Sequence, residues 1–172
     1  MRHAKSSWAE PGSSDHDRAL SKRGLRDAPR MGRYISDQGY APDLIICSTA
    51  VRARETLRLA LPAIQALNDP EVMFAGEVYG AVPRDILETI AQNGDTAGTI
   101  LVVGHNPGLQ LLALHLAGSG EPDDRDLLAQ KFPTCGLAVI DFKAPSWSTI
   151  AQQRGELVEF TSPKRLAGHD AA

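Results

Sequence analysis

The stretch Thr99-Ile-Leu-Val-Val-Gly-His-Asn-Pro-Gly108, near the middle of the chain, decides the fold. Its apolar run, Ile100 to Val103, is short and rich in β-branched residues, which is typical of a strand buried on both faces of a parallel sheet. Gly104 ends the run, and His105 follows where the carboxyl end of the strand is expected. Open α/β sheets bind ligands at such strand-to-helix crossings. His105 is therefore a candidate functional residue, although histidines also occur as turn caps.

A helix is predicted directly after this strand. Asn106 can act as its N-cap, and Pro107 suits its first helical position. Leucines at helical spacing then provide an apolar face, and a glycine is expected to end the helix: Leu109, Leu112, Leu116 and Gly118. A buried strand followed by an amphipathic helix is typical of α/β folds.

The composition predicts one soluble domain without a nucleic-acid or membrane surface. The chain has 172 residues, of which 42% are hydrophobic and 23% charged, with a formal net charge of −3. A pI near 5.9 argues against a nucleic-acid surface, because such a surface needs a basic stripe. No apolar run has the length of a membrane span and no signal peptide is visible, so a cytoplasmic location is expected. Cys47 and Cys135 form neither a disulfide framework nor a metal-ligand pattern.

The remaining segments alternate between helices and strands. Helices are predicted for residues 21–39, 51–66, 83–94 and 127–131, with Ser21 and Asp126 as N-caps of the first and last. Strands are predicted for residues 44–47, 72–74, 137–140, 147–150 and 157–160, and a loop for residues 119–125. The predicted fold class is α/β, a three-layer, mostly parallel sheet with helices on both faces and an antiparallel edge on the C-terminal side. Residues 1–166 are expected to form a single domain and residues 167–172 a disordered tail.

Three segments bring polar side chains to one edge of this sheet. Arg2-His3 opens the chain, Ser48 to Thr56 follows the second predicted strand, and Gly104-His105 follows a later one. Segments that follow successive parallel strands meet at one edge. Arg52 and Thr56 are four residues apart and share one helix face, beside the positive end of the helix dipole.

Two histidines and two arginines at one edge suit a phosphoryl group. Guanidinium groups donate bidentate hydrogen bonds to phosphate oxygens and stay charged at any working pH. A neutral imidazole can attack phosphorus and hold the phosphoryl group covalently, and its free pKa of about 6.5 leaves a neutral fraction at pH 7. Because the arginines and the second histidine can neutralise the developing charge, neither a metal nor another cofactor is required.

Four short motifs occur in order along the chain: Arg2-His3-Ala4-Lys5-Ser6, Asp17-Arg18-Ala-Leu-Ser-Lys-Arg-Gly24, Ser48-x-x-x-Arg52-Ala-x-Glu-Thr56 and Val103-Gly-His105-Asn-Pro-Gly108. Each is weak alone, but in this order they resemble the histidine phosphatase superfamily, in its small SixA-like branch of phosphohistidine phosphatases. The resemblance spans most of the chain. It implies a phosphoglycerate mutase-like fold and a metal-independent removal of phosphate from phosphohistidine proteins.

The resemblance also implies a role for individual residues. His3 is the expected phosphate acceptor, and Arg2, Arg52 and His105 are expected to bind the phosphoryl group. Glu77 is the nominated proton donor, because larger members of the superfamily place their acid in a similar stretch; an ordinary surface glutamate is the alternative. Further candidates for phosphate or substrate binding, of which the two basic residues could equally be surface charges, are Lys5, Arg18 and Ser48.

Other phosphate chemistries do not fit the sequence. A cysteine-phosphatase loop needs five residues between its cysteine and arginine, whereas Cys47 and Arg52 have four between them. Residues 104–108 lack the serine of a nucleophile elbow, and neither glycine cluster has a P-loop lysine. Two alternatives of related chemistry stay open: a small-molecule phosphatase or mutase, and a phosphate-binding module without turnover. The expected partner is a phosphorylated protein or a small phosphorylated substrate.

The start of the chain departs from the family pattern. Family members place a buried apolar strand directly before the Arg-His pair, and here Met1 alone precedes Arg2. We therefore expect the natural polypeptide to begin upstream, with roughly four to six apolar residues before Arg2. The other histidines are expected to lie outside the site: His16, His115 and His169.

Overall fold

Helices and strands alternate along most of the chain in the computed structural model, which describes residues 1–8 and 14–169. The strands are β1 Leu44–Ser48, β2 Glu71–Ala75, β3 Ile100–Val103, β4 Ala117–Gly120, β5 Leu137–Asp141 and β6 Gly155–Thr161. The helices are α1 Lys22–Asp37, α2 Val51–Ile64, α3 Pro83–Asn93, α4 Gly108–Leu116, α5 Pro122–Gln130 and α6 Pro163–His169. Short 3-10 helices cover Gly76–Val78 and Trp147–Gln152. None of the helices in the described ranges is long and apolar enough to cross a membrane.

The strands form two groups of three. In the first, β1 lies in the middle and pairs in parallel with β2 and β3. In the second, β6 lies in the middle, antiparallel to β5 and parallel to β4. The antiparallel pair on the C-terminal side was predicted. The outermost strand of that group, β4, is instead parallel to its neighbour, and its residues 119–120 lie in the predicted loop 119–125.

The first residues of the chain join the two groups. The backbone N–H of His3 donates to Gly104 O at 3.0 Å, and the N–H of Gly104 donates to Met1 O at 3.1 Å. On the other side, the N–H of Arg2 donates to Gly136 O at 2.9 Å, just before β5. Residues 1–4 therefore lie between β3 and β5, and their backbone forms the centre of the sheet layer.

Helices cover both faces of this layer, as the α/β prediction requires. All five residues of β1 are buried. Ile45 and Cys47 pack on one face against α1 and α2, whereas Leu44 and Ile46 pack on the other against α3 and α4. Because side chains alternate along a strand, a continuous apolar run is what a strand between two helical layers needs.

The predicted start of the helix after β3 is wrong, whereas its predicted end is confirmed. Helix α4 begins at Gly108, without a side-chain cap, and ends at Leu116 with Ala117 as its C-cap, so that Gly118 directly follows the cap. Asn106 does not cap it, because its Oδ1 accepts no hydrogen bond from the described residues, while its Nδ2 donates to Gln110 Oε1 and to Phe132 O, each at 3.2 Å. The long-range contact to Phe132 therefore takes the place of the local cap.

Two further predictions fail after α4. Helix α5 begins at Pro122, within the predicted loop 119–125, so Asp126 lies inside the helix and not at its N-cap. Asp124 anchors this early start, because its Oδ2 accepts the N–H of Phe160 at 2.7 Å. The predicted strand at residues 147–150 is a 3-10 helix, anchored where the Trp147 indole donates to Ala97 O at 2.5 Å.

The C-terminal helix α6 extends to His169. It therefore includes residues 167–169, which the sequence assigned to a disordered tail. Residues 170–172, the rest of that tail, lie outside the described residues.

Candidate active site

The carboxyl ends of β1 and β3 and the N-terminal segment meet at one edge of the sheet. Ser48 ends β1, Gly104 follows β3, and α2 starts close by at Val51. This is the edge at which open α/β sheets bind ligands. The arrangement brings together five of the predicted site residues, which hydrogen bonds and electrostatic interactions connect into one cluster: Arg2, His3, Ser48, Arg52 and His105.

His3 is buried, and one nitrogen of its ring is fixed by the backbone. Its Nδ1 lies 2.7 Å from the carbonyl oxygen of Ala4, which can only accept a hydrogen bond. The proton is therefore assigned to Nδ1, and Nε2 has a free electron pair. Burial lowers the pKa of His3 to about 3, assisted by the nearby His105, Arg52 and Arg2. The imidazole is thus neutral at physiological pH, which is the form that can act as a nucleophile.

His105 lies against His3, with 4.9 Å between the ring centroids. Its Nε2 is 2.7 Å from the hydroxyl oxygen of Ser48. That hydroxyl already accepts the N–H of Ala50 at 3.3 Å, so its own proton can be donated to His105 Nε2. When Ser48 donates in this way, the ring proton of His105 is on Nδ1. Burial, followed by the charge of Arg52, lowers the pKa of His105 to about 4.

Arg52 extends from the first turn of α2 towards His3. Its Nε donates to His3 Nε2 at 3.3 Å, and its guanidinium also contacts Asp15. The neighbouring turn of α2 holds the N-terminal segment, because Thr56 Oγ1 accepts the N–H of Ala4 at 2.9 Å and donates to Arg52 O at 2.6 Å. The shared helix face predicted for Arg52 and Thr56 thus joins α2 to the histidine segment.

Two buried nitrogen atoms in this cluster have no hydrogen-bond partner among the described residues. They are Arg2 Nε and His105 Nδ1. Arg2 is held by a different nitrogen, NH1, which donates to Phe132 O at 2.7 Å. A buried donor without a partner costs roughly 1–3 kcal/mol, so the unpartnered Nε–H of Arg2, beside the Arg52 guanidinium and a histidine nitrogen, fits an oxyanion ligand.

Two residues at the site were missed by the sequence analysis. Asp15 bonds Arg18, Arg52 and Tyr79, and the hydrogen bond from Arg18 is the main reason why its pKa is lowered to about 2. The Tyr79 ring stands edge-on to His105, with centroids 5.3 Å apart. Residue Asp15 lies in a polar loop without periodicity, and Tyr79 follows a 3-10 turn, so neither had a local signal.

The other predicted candidates differ in position. Arg18 reaches the edge of the cluster through Asp15 and also donates to Ser6 Oγ at 2.6 Å. The side chains of Lys5 and Glu77 are exposed, and within the described residues neither forms a hydrogen bond with the cluster. His16, expected to be inert, stands 5.0 Å from the Tyr79 ring, measured between ring centroids.

No group of three or more His, Cys, Asp or Glu side chains within residues 1–8 and 14–169 could hold a metal ion. The site instead combines a neutral imidazole nitrogen with an electron pair, two guanidinium groups and a second imidazole. These groups can bind a tetrahedral oxyanion and attack its central atom.

Comparisons with known proteins agree with this geometry. The family model of the histidine phosphatase superfamily (branch 1) matches residues 1–73. An uncharacterised protein of Mycobacterium tuberculosis is 39% identical over 166 residues, which cover 95% of this chain and 100% of that protein. Among solved structures, a candidate phosphohistidine phosphatase SixA from Agrobacterium tumefaciens is 34% identical, with a TM-score of 0.75 and 95% of each chain covered. A second candidate SixA, from Nakamurella multipartitia, is 30% identical, with a TM-score of 0.77 and 95% and 93% of the two chains covered. The chain belongs to the histidine phosphatase superfamily.

Proposed function

We propose that the protein is a metal-independent phosphatase that forms a phosphohistidine at His3 and acts on phosphohistidine side chains of proteins. One observation supports this most directly. The electron pair of His3 Nε2 accepts a hydrogen bond from the Arg52 guanidinium, in a cluster that also contains two buried nitrogens without a partner, Arg2 Nε and His105 Nδ1. A nucleophile and several oxyanion donors are thus directed to one place.

In the first step, His3 Nε2 attacks phosphorus, the Nε2–P bond forms, and the bond from phosphorus to the leaving group breaks. The leaving group departs with the bonding pair. Arg2 and Arg52 balance the charge on the phosphoryl oxygens, and His105 donates to one of them through Nδ1. The hydrogen bond from Nδ1 of His3 to Ala4 O stabilises the positive charge that develops on the imidazole.

In the second step, water attacks phosphorus, and the Nε2–P bond returns its electron pair to His3. Both protons of the water leave on the product, dihydrogen phosphate, which releases one of them to solvent. Because His3 is buried with its pKa far below 7, the ring leaves this step neutral and ready for another turnover.

The leaving group supports a phosphohistidine substrate over an alkyl phosphate. An alkoxide needs a general acid, usually a carboxyl group with a raised pKa. The carboxyl group near the cluster, Asp15, has a lowered pKa and is ionised, and Glu77 is exposed. An imidazole leaving group has a much lower pKa and needs little protonation. The names of the two SixA relatives are consistent with the same substrate.

Rapid quench with a labelled phosphohistidine protein tests the proposal. We expect an acid-labile, base-stable phosphoenzyme that is absent in His3→Ala and present in the matched variant His115→Ala, whose histidine lies on the exposed part of α4. Chelators should not change the rate. A panel of small phosphate esters run beside the protein substrate decides between substrate classes. Faster turnover of the esters would overturn the assignment of a phosphohistidine protein as substrate. Full activity of His3→Ala would overturn the mechanism.

A further inference from the structure

Asp15 places a carboxylate among the donors of the site. Its Oδ1 accepts Arg18 NH1 at 2.8 Å, and its Oδ2 accepts both Arg52 NH2 at 2.8 Å and the Tyr79 hydroxyl at 2.9 Å. Two guanidinium groups and a phenol around one anion resemble the donor set that a phosphoryl group would use.

These contacts occupy the hydrogen-bonding fork of Arg52. Its NH1 donates to the backbone oxygen of Asp15, its NH2 donates to the carboxylate, and its Nε donates to His3 Nε2. In this arrangement both terminal nitrogens of the guanidinium bind Asp15, and the electron pair of His3 Nε2 accepts the hydrogen bond from Arg52 Nε. Neither group can act on a phosphoryl group without rearrangement.

We propose that Asp15 is an internal anion that holds Arg52 in the free protein and that an incoming phosphoryl group must displace. The inference rests on the proposed function, since it assigns the phosphoryl group to Arg52. Displacement lowers the affinity for the phosphoryl group, because part of its binding energy is used to break the Asp15–Arg52 pair. Asp15 thereby determines how tightly the site binds phosphate.

The exposure of the two partners supports a displacement rather than a permanent pair. The side chain of Arg52 is 7% exposed, whereas that of Asp15 is 53% exposed. Asp15 can therefore move towards solvent while Arg52 stays in place. Arg18, which is 12% exposed and also bonded to Ser6, can keep one carboxylate oxygen after the other has left Arg52.

The charges favour the exchange. A phosphoryl dianion has more charge than a carboxylate and offers three oxygens to the donors. It can also accept from Arg2 Nε and His105 Nδ1, the two buried nitrogens that Asp15 leaves without a partner. As Arg52 turns to the phosphoryl oxygens, its Nε leaves His3 Nε2, and the nucleophile is freed at the moment the substrate arrives.

The test is Asp15→Asn, with Asp17→Asn as the matched control. Asp17 lies two residues away and pairs with Ser14 and His16 rather than with Arg52. We expect Asp15→Asn to bind inorganic phosphate and tungstate about tenfold more tightly, because a charge-assisted pair no longer competes. KM should fall more than kcat changes. Asp17→Asn should bind both anions as the unmodified protein does.

Titration calorimetry with tungstate measures this affinity without turnover, so the result does not depend on the proposed reaction. Unchanged or weaker anion binding in Asp15→Asn would overturn the displacement and make Asp15 a positioning residue for Arg52. Tyr79→Phe removes one of the three donors to Asp15 and should shift affinity in the same direction by a smaller factor. Weaker binding in Tyr79→Phe would also contradict the inference.

Discussion

The gap between β3 and β5 is closed at one end and open at the other. At the closed end, residues 1–4 bond to both sides, and the adjoining side chains of Val103 and Leu137 are 0% and 4% exposed. Towards the other end, the half-buried residues 100–101 and 138–140 line a cavity of about 850 Å³. The same two strands are thus tightly packed beside the candidate site and loosely packed away from it.

This difference shows what fixes the site. His3 is held by backbone hydrogen bonds to Gly104 on one side and from Cys135 on the other, each 3.0 Å long. Thr56 ties the next residue, Ala4, to helix α2. Catalytic groups must be held to roughly 0.5 Å, and bonds on both sides of a segment provide such restraint. The open end has no comparable restraint, and none of the site residues lies there.

The largest effect is expected from a substitution at the closed end. His105→Ala removes the proposed donor to the phosphoryl group and takes away the His105 partner of the Ser48 hydroxyl. Removing one such donor lowers kcat by about 100-fold or more. The matched variant at the open end, Ser119→Ala, lines the cavity and should keep full turnover. Steady-state kinetics on both variants decide this, and equal losses would show that the two ends are not functionally distinct.

Filling the open end is expected to stabilise the fold. Roughly four to six alternating apolar residues fused before Met1 would extend the N-terminal segment between the edges of β3 and β5. Each new ladder bond contributes about 1 kcal/mol, so the free energy of unfolding should rise by several kcal/mol. Turnover should rise as well, because the added strand would further restrain the segment that carries His3.

The control for this fusion is a Gly-Ser-Asp extension of the same length, which cannot bury side chains in the cavity. Denaturant unfolding compares the two fusions with the 172-residue chain. Equal stability of both fusions would mean that the open end does not accept a strand.

The buried terminal amine of Met1 makes the stability of the fold depend on pH. Met1 N donates to Val102 O at 2.7 Å, and burial lowers its pKa from 8.0 to about 5. Between these values the unfolded chain binds the proton and the folded protein does not, so stability rises with pH. The pKa values of His3 and His105 are lowered as well, but these two groups change the stability only below their ordinary pKa of 6.5. The rise in stability from pH 6.5 to 8 is therefore attributed to Met1.

Nα-acetylation tests this attribution. The free energy of unfolding, measured across this window, should depend less steeply on pH in the acetylated protein; an unchanged slope would contradict the buried amine.

The sequence predicted the parts of the site that depend on local patterns. The apolar run before Gly104 located His105, and the spacing of Arg52 and Thr56 located the helix face that meets the N-terminal segment. The α/β class followed from the same patterns, because a strand buried on both faces needs helices on both sides.

The elements that were missed depend on distant contacts. The strand β4 has the sequence Ala-Gly-Ser-Gly, which has little β-propensity, and it is defined by its pairing with β6. Asp15 becomes part of the site through Arg52 and Tyr79, which are 37 and 64 residues away in sequence. No periodicity in a polar loop can signal such contacts.

The smallest effect is expected for Glu77→Gln, which tests whether Glu77 is the proton donor for reactions at the closed end. Glu77 lies in the 3-10 turn Gly76–Val78, next to a buried Val78 and two residues before Tyr79, but its side chain is exposed. On a phosphohistidine protein the substitution should change kcat/KM less than about twofold, since imidazole leaves without an acid. On alkyl phosphates the loss of kcat/KM should be larger, because an alkoxide leaving group needs a proton, which Glu77 would supply.

The matched variant Glu71→Gln, on β2 and also exposed, should leave kcat/KM unchanged on both substrates. Equal losses of Glu77→Gln on both substrates would contradict its assignment as the proton donor. No loss on either would make it a surface glutamate and confine the chemistry to the buried histidines and arginines.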